Sequence, residues 1–257
     1  MNQDLFSIAG KVAVVTGGSR GIGLMIARGF VDAGARVYIS SRKAEVCDAV
    51  AAELSKTGQC ISIPADLSGL EGVEHLAREV AAREPAVHIL VNNAGATWGA
   101  PLEDYPDSAF DKIWAINVKA IFHMTVKLLP QLRKAASPGD PARVINIGSI
   151  DGITVPASEN YAYAPSKAAV HMLTRQMAHR LVRENINVNA IACGLFVTKM
   201  TQFLFDNPDT TPVGFIPMGR EGRLEDIAGT AIYLSSRAGA YLAGAVIPVD
   251  GGVSTHG

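Results

Sequence analysis

The sequence has no excess of either charge. Its 23 basic and 24 acidic side chains leave a formal net charge of -1, so nothing electrostatic favours nucleic acid or an anionic membrane as partner. Cysteine is scarce: Cys47, Cys60 and Cys193 are widely spaced and form no Cys-x-x-Cys pair. That excludes a cysteine zinc site and a disulfide framework, and it suits a reducing compartment. The six histidines, at 75, 88, 123, 171, 179 and 256, have no metal-type spacing, so no metal is expected. Long apolar runs are missing too; stretches such as Val12 to Val15 are far too short to cross a bilayer. Met1 to Gly10 carries Asp4 and lacks a basic start followed by an apolar run, so no signal peptide is expected and the simplest location is cytoplasmic.

Over 257 residues, 48% are hydrophobic and 18% charged, the composition of a globular chain with a sizeable core. Short β-branched runs alternate with longer helical stretches. The strand-like runs are Lys11 to Val15, Arg36 to Ser40, Cys60 to Ile63, His88 to Val91, Arg143 to Ile147 and Asn187 to Ile191. Helices are expected at about 22–33, 44–56, 70–83, 108–134 and 161–183. Strands that read as continuous apolar runs are buried on both faces, as in parallel sheets. The alternation therefore predicts a doubly wound α/β architecture. No domain boundary is evident, so residues 1–257 read as one domain. Pro130 predicts a kink or early end in its helix. The irregular, proline- and glycine-rich stretch from Thr198 to Gly222 reads as a substrate lid.

Thr16-Gly17-Gly18-Ser19-Arg20-Gly21-Ile22-Gly23 follows the first strand and opens the first helix. Glycines at 17, 21 and 23 permit a tight turn and close approach of a pyrophosphate, which the helix N-terminus then attracts. A plain glycine turn is the alternative, but a strand before and a helix after supply the context of a dinucleotide site. The Gly-x-x-x-Gly-x-Gly spacing resembles that of the short-chain dehydrogenase/reductase family. Asn92-Asn93-Ala94-Gly95, Tyr163-Ala164-Pro165-Ser166-Lys167 and Ile247-Pro248-Val249-Asp250-Gly251-Gly252 strengthen the resemblance, which runs from about Gly10 to Gly252. It implies a Rossmann fold with a mostly parallel seven-stranded sheet and helices on both faces, and it implies the site residues that follow.

The second strand ends in Ser40-Ser41-Arg42-Lys43, without the acid that would bind an NAD ribose. Arg42 can instead grip a 2′-phosphate, helped by Arg20, so NADP(H) is expected; a solvated loop cation is the alternative. Asp66, with Leu67, is expected at the adenine, unless Asp66 caps the following helix. Asn93, Ala94 and Gly95 should lie along the adenine-side ribose, and Gly17, Ser19, Gly21, Ile22 and Gly23 around the pyrophosphate. Gly194, the Phe196 backbone and Thr198 should meet the carboxamide or phosphates. The family usually has proline before that Gly194; here Cys193 loosens the turn and brings a thiol close to the nicotinamide.

Tyr163 and Lys167 are four residues apart and share a helix face. A nearby ammonium should lower the phenol pKa, so that Tyr163 exchanges a proton with a substrate oxygen while hydride moves to or from nicotinamide. Lys167 should also hold the nicotinamide ribose. Tyr161 is a competitor, but it lacks a lysine four residues on and faces about 200° away. Ser149, ending the fifth strand, should bind the carbonyl or alcohol oxygen, or else cap a turn. Asn117 lies in a helical pattern; the resemblance makes it distort the helix and hold a water against Lys167, the alternative being a surface asparagine.

Trp98, Ile153, Val155, Phe203, Phe205, Phe215 and Met218 make the expected substrate pocket apolar, which suits acyl, alicyclic or aromatic ketones better than sugars. Residues 92–100, 216–220 and 238–241 resemble the bacterial ketoacyl reductases associated with rhamnolipid synthesis. The expected reaction is reduction of a 3-ketoacyl thioester. Cyclic, steroid or aromatic ketones and alcohols remain open, as does a nucleotide-sensing regulator without turnover. The resemblance also implies a homotetramer pairing long helices and last strands; Ala245 to Val249 could serve that contact or form a plain edge strand.

Overall fold

The chain is seen in a computed structural model that describes residues 3–156, 158–206 and 212–255. Seven strands form one sheet: β1 Val12–Thr16, β2 Arg36–Ser40, β3 Gln59–Ser62, β4 Ile89–Asn92, β5 Ala142–Ile147, β6 Ile186–Cys193 and β7 Val246–Val249. Their order is β3-β2-β1-β4-β5-β6-β7, and every neighbouring pair is parallel. The order reverses between β1 and β4, which opens the crevice where such sheets bind ligands.

Among the described residues eight α-helices cross over between strands: α1 Gly21–Asp32, α2 Ala44–Leu54, α3 Leu70–Arg83, α4 Asp107–Trp114, α5 Ala120–Ala135, α6 Tyr163–Leu181, α7 Gln202–Phe205 and α8 Leu224–Ser235. Strand alternation splits the core in two. Val15, Ile39 and Ile147 meet Phe30 of α1 and Ile227 of α8 on one face. Val14, Tyr38 and Leu90 meet Leu76 of α3, Met124 of α5 and Val170 of α6 on the other. A Rossmann-like doubly wound fold results.

A buried polar row crosses the second core. Asn92 Nδ2 donates to Thr125 Oγ1 (3.2 Å) and Asn146 Oδ1 (2.9 Å), and Asn146 Nδ2 donates to Thr174 Oγ1 (2.9 Å). The row ties β4 and β5 to α5 and α6. Such satisfied networks fix a single packing arrangement, and here they fix the helix that carries Tyr163.

The long helix expected at 108–134 is interrupted. Residues Ala115–Lys119 form a π turn between α4 and α5, closed by Ala120 N–H on the Ala115 carbonyl. Pro130 does not end α5, which runs on to Ala135. Pro130 and Val126 are both exposed, so water can solvate the carbonyl that proline leaves without a partner. The irregular stretch after β6 holds α7 and a 3₁₀ turn at Pro212–Phe215; residues 207–211, which fall in the expected lid, and His256 lie outside the described residues. Among the described residues no helix is long and apolar enough to cross a membrane, and no metal-type cluster occurs.

Candidate active site

The glycine turn after β1 is shaped by close contacts. A Cβ on Gly23 would sit 2.3 Å from Asn93 Nδ2 and 2.4 Å from the Gly17 carbonyl oxygen; Gly17 has φ +65° and faces the same amide at 2.8 Å. Only glycine admits this approach. Asn93 Nδ2 donates to the carbonyls of Thr16 (2.8 Å) and Gly17 (3.2 Å), locking the turn to the Asn93–Gly95 segment. Thr16 is the hub: its Oγ1 accepts from the amides of Asn93 (2.9 Å) and Ala94 (3.0 Å) and donates to the Val91 carbonyl (3.3 Å). Sequence reasoning passed over Thr16 as a site residue because its partners are about 77 positions away.

No side chain caps α1 at Arg20, and its first turn holds no acid. Its leading amides are therefore open to an anion. Ser19 is buried in the turn and Ile22 half-buried beside it. Gly21 has φ +54°, and a Cβ there would lie 3.3 Å from the Thr198 methyl, so the start of the irregular stretch comes onto the turn. Gly18 N–H donates to the Ser40 carbonyl at 3.2 Å, so the turn adjoins the end of β2. Arg20 and Arg42 are exposed there, and neither is in an ion pair among the described residues. Asp66 takes the Ser68 amide at 3.0 Å rather than capping α3, which begins from Gly69. Burial opposes Asp66 ionisation, but the Ser68 bonds and Arg42 hold its pKa below the usual value. The Leu67 side chain belongs to the core, leaving only its backbone for a ligand. These residues fit a dinucleotide: a cradle that side chains would fill, open helix amides, and two uncommitted guanidinium groups beside the ribose end.

Tyr163, Lys167 and Ser149 come together at the carboxyl ends of β5 and β6. Lys167 is buried; its Nζ donates to the Ile147 carbonyl at 2.8 Å and stands 5.5 Å from the centre of the Tyr163 ring. The Ser149 hydroxyl accepts from the Asp151 amide at 3.1 Å. The expected electrostatics are overturned at one point. Burial pushes the Tyr163 phenol pKa up, Asp151 pushes it further, and the neighbouring Ser149 hydroxyl is what opposes them. The ammonium lies over the ring and binds a carbonyl, not the phenol oxygen, so desolvation prevails. Burial likewise lowers Lys167 to about 8. Tyr161 points elsewhere, its hydroxyl on Glu159 and its ring against Tyr105.

Asn117 sits in the π turn and is fully buried. Its Oδ1 accepts from the Ala96 amide (2.9 Å), and Nδ2 donates to the Ala96 carbonyl (3.0 Å) and Ser166 Oγ (2.9 Å). Both amide hydrogens are spent on protein, joining α5, the loop after β4 and α6. Ser166, which sequence reasoning had not singled out, passes the link on to the Tyr163 carbonyl at 2.6 Å. Gly194 is required by Asp250, whose Cα would lie 2.5 Å from any Cβ there. Phe196 is buried with its ring under Gly222, and its carbonyl accepts from the Thr201 hydroxyl. The Thr198 hydroxyl bonds the Met200 amide (3.2 Å) and the Thr201 hydroxyl (3.1 Å). Cys193 is buried, and burial raises its thiol to about 12, which leaves it protonated and unreactive.

The loop after β4 meets the segment before α6 through Ala100 N–H on the Glu159 carbonyl, and through Tyr105, which joins Trp98 and Ala162. Trp98, Ile153, Val155 and Phe215 are exposed and Phe205 is half-buried; the Phe203 side chain lies outside the described residues. Met218 departs from expectation. It packs on Gly251 and lines a cavity of about 370 Å³ with Arg220, Asp226 and Asp250, a lining that includes none of Ser149, Tyr163 and Lys167.

Comparison with known proteins gives a consistent answer. The family model described as short chain dehydrogenase matches residues 11–209. A 3-oxoacyl-acyl-carrier-protein reductase of rhamnolipid biosynthesis from Pseudomonas aeruginosa is 51% identical over 249 residues, covering 96% of this chain and 97% of that one. A gluconate 5-dehydrogenase from Gluconobacter oxydans is 34% identical over 261 residues, covering 98% of each. Among solved structures, the Pseudomonas aeruginosa RhlG/NADP active-site complex superposes with a TM-score of 0.96 at 50% identity, covering 98% of this chain and 99% of that one. With the glycine cradle, the Tyr163–Lys167 helix and the parallel sheet in place, the chain belongs to the short-chain dehydrogenase/reductase family of oxidoreductases.

Proposed function

We propose that this oxidoreductase uses NADP(H) to reduce the ketone of a 3-ketoacyl thioester to a secondary alcohol. The observation that carries the reading is the convergence of Ser149, Tyr163 and Lys167 beside the glycine cradle. Arg20 and Arg42 at the ribose end favour the 2′-phosphate, and a solved structure 50% identical to this chain is an NADP complex. The acyl substrate is supported by the name of the half-identical relative and by the apolar Trp98, Ile153, Val155 and Phe215 around the crevice.

The cofactor, when bound, supplies the hydride. The protein's own work is proton delivery and alignment. Ser149 Oγ is oriented by the Asp151 amide, which leaves its hydrogen free for the substrate oxygen or the phenol. Tyr163, kept protonated by burial, is in the acid form that ketone reduction consumes. Lys167 lies over the Tyr163 ring, 5.5 Å from its centre, and would hold the nicotinamide ribose. Asn117, through Ala96 and Ser166, holds the loop after β4 against α6. Gly17, Ser19, Gly21, Ile22 and Gly23 would hold the pyrophosphate. Asp66, the Leu67 backbone, Asn93, Ala94 and Gly95 would line the adenosine side, and Gly194, Phe196 and Thr198 the carboxamide end.

Residues 198–222 act as the substrate lid on a single domain. A stripe of exposed apolar side chains, Phe110, Trp114, Phe122 and Val126, runs along α4 and α5 at helical spacing, with Met172 exposed on α6. It supports a homotetramer built through those helices.

The test is a screen of the purified protein for NADPH oxidation across 3-ketoacyl thioesters, cyclic diketones and aromatic ketones. Turnover is expected with the thioesters. Turnover confined to cyclic or aromatic ketones would move the substrate assignment, and a Tyr163→Phe chain with full biological function would make the protein a regulator.

A further inference from the structure

One carboxyl stands beside the catalytic groups without a part in the hydride chemistry or the cofactor cradle. Asp151 lies on the 3₁₀ turn Ile150–Gly152 that follows Ser149. Its amide donates to Ser149 Oγ at 3.1 Å, and its Oδ2 accepts from Asn160 Nδ2 at 3.2 Å. Asn160 is 9% exposed, and its carbonyl accepts from the amides of Tyr163 and Ala164 at the start of α6. Behind the turn, a Cβ on Gly152 would lie 2.7 Å from the backbone of Lys167 and Ala168 and 2.9 Å from the His171 ring. The carboxyl is thus held by the same packed turn that holds Ser149. Its Oδ1 has no hydrogen-bond partner among the described residues.

Other titratable groups close to this spot are Tyr163, Lys167 and His171 of α6 and Cys193 of β6. Burial keeps Cys193 protonated (about 12) and His171 neutral (about 4). Lys167 is the cation, and it is tied to the Ile147 carbonyl. Burial raises the Asp151 pKa, against the Asn160 bond and the Lys167 charge that favour its ionised form; its amide on Ser149 Oγ and its carboxyl on Asn160 hold it two residues from the hydroxyl that would bind the ketone.

We propose that Asp151 is a charge filter: a fixed anion that turns away ketones bearing a carboxylate next to the reacting carbonyl and leaves their uncharged esters and thioesters as substrates. The inference rests on the ketone-reductase reading and narrows it. In a free 3-keto acid the carboxylate is separated from the ketone by a single methylene. Binding the ketone at Ser149 and Tyr163 brings that charge close to Asp151 in a half-shielded site, where repulsion between like charges is strong. Esterification removes the charge and keeps the shape of the ketone.

The test compares NADPH-dependent reduction of ethyl acetoacetate and acetoacetate by the wild type and by Asp151→Asn, Asp151→Ser and Asp151→Glu. The wild type should favour the ester. Both neutral variants should narrow the ester-to-acid ratio of kcat/KM about tenfold, as expected for removing one like charge at this range. Asp151→Glu should keep the wild-type preference. Neutralisation should also move the high-pH loss of reduction toward lower pH, because Asp151 raises the Tyr163 phenol; a role confined to packing moves neither readout. Should Asp151→Asn fail to fold, Asp151→Ser decides. An unchanged ratio in the folded neutral variants, or a wild type that reduces acetoacetate as well as the ester, overturns the filter while the reductase stands. A wild type that reduces neither these ketones nor any 3-ketoacyl thioester overturns both.

Discussion

Lys167→Met should leave the protein at least as stable at neutral pH while abolishing turnover. The Lys167 side chain is 6% exposed, and desolvation lowers its pKa from 10.5 to about 8. At pH 7 both folded and unfolded chains carry the proton, so the folded chain holds a desolvated charge. One pKa unit is about 1.4 kcal/mol, which puts that penalty at about 3 kcal/mol. As pH rises through about 8, the folded lysine deprotonates while the unfolded one stays charged to about 10.5. The penalty then falls to less than half by roughly pH 9.5 and disappears above the unfolded pKa. Stability from this group therefore rises with pH across that window. Methionine keeps the stem and removes the charge, but it forfeits the 2.8 Å bond to the Ile147 carbonyl, worth about 1–3 kcal/mol. At pH 7 the variant should match the wild type or exceed it by up to about 2 kcal/mol, and this margin should shift by about 2 kcal/mol against the variant at about pH 9.5. Urea melts of both chains without cofactor at the two pH values measure it. Taking the difference between the chains cancels titrations that do not sense Lys167, and Cys193, raised by burial to about 12, stays protonated in both folded chains over this range. A margin that does not change with pH, or a variant several kcal/mol less stable at neutral pH, would refute the reasoning.

Tyr163→Phe should lower kcat by about 10² to 10⁴, while Tyr161→Phe, whose hydroxyl lies on Glu159, should stay near wild type; steady-state reduction assays separate the two. Arg42→Ala should cut the NADPH-over-NADH preference in kcat/KM about tenfold through lost charge-assisted bonds, and an unchanged preference would assign the phosphate elsewhere. Gly23→Ala should weaken NADPH binding, stability or both by a total of about 2–4 kcal/mol, because the new methyl collides with Asn93 Nδ2 and the Gly17 carbonyl and breaks the bonds between them. Calorimetric titration and thermal melting together read that sum.

Strands and helices were legible wherever burial imposed a simple period. β1, β4, β5 and β6 are buried along their whole length, and their β-branched runs, broken in β5 and β6 only by Arg143, Asn146, Asn187 and Asn189, gave them away. The glycine turn was legible because backbone that must approach other backbone admits little else. The distortion at Asn117 was expected from the resemblance and not from any local pattern, since its cause is a set of bonds to Ala96 and Ser166 that form only when three segments meet. The early end expected at Pro130 did not occur, because helix breaking depends on whether the orphaned carbonyl faces water. Met218 misled because its direction is set by contact with Gly251, more than thirty positions on.

The sequence by itself determined that a parallel sheet would carry a glycine cradle at one strand end, and that Tyr163 and Lys167 would share a face of one helix. Those are matters of period and spacing, which a chain carries locally. Tertiary structure alone decided which proton the site holds. The state of the phenol depends on water removed by every segment packed around it, and on Asp151, brought beside Tyr163 by a turn twelve residues earlier in the chain. Desolvation sums over the whole fold, so no local pattern of residues can state it.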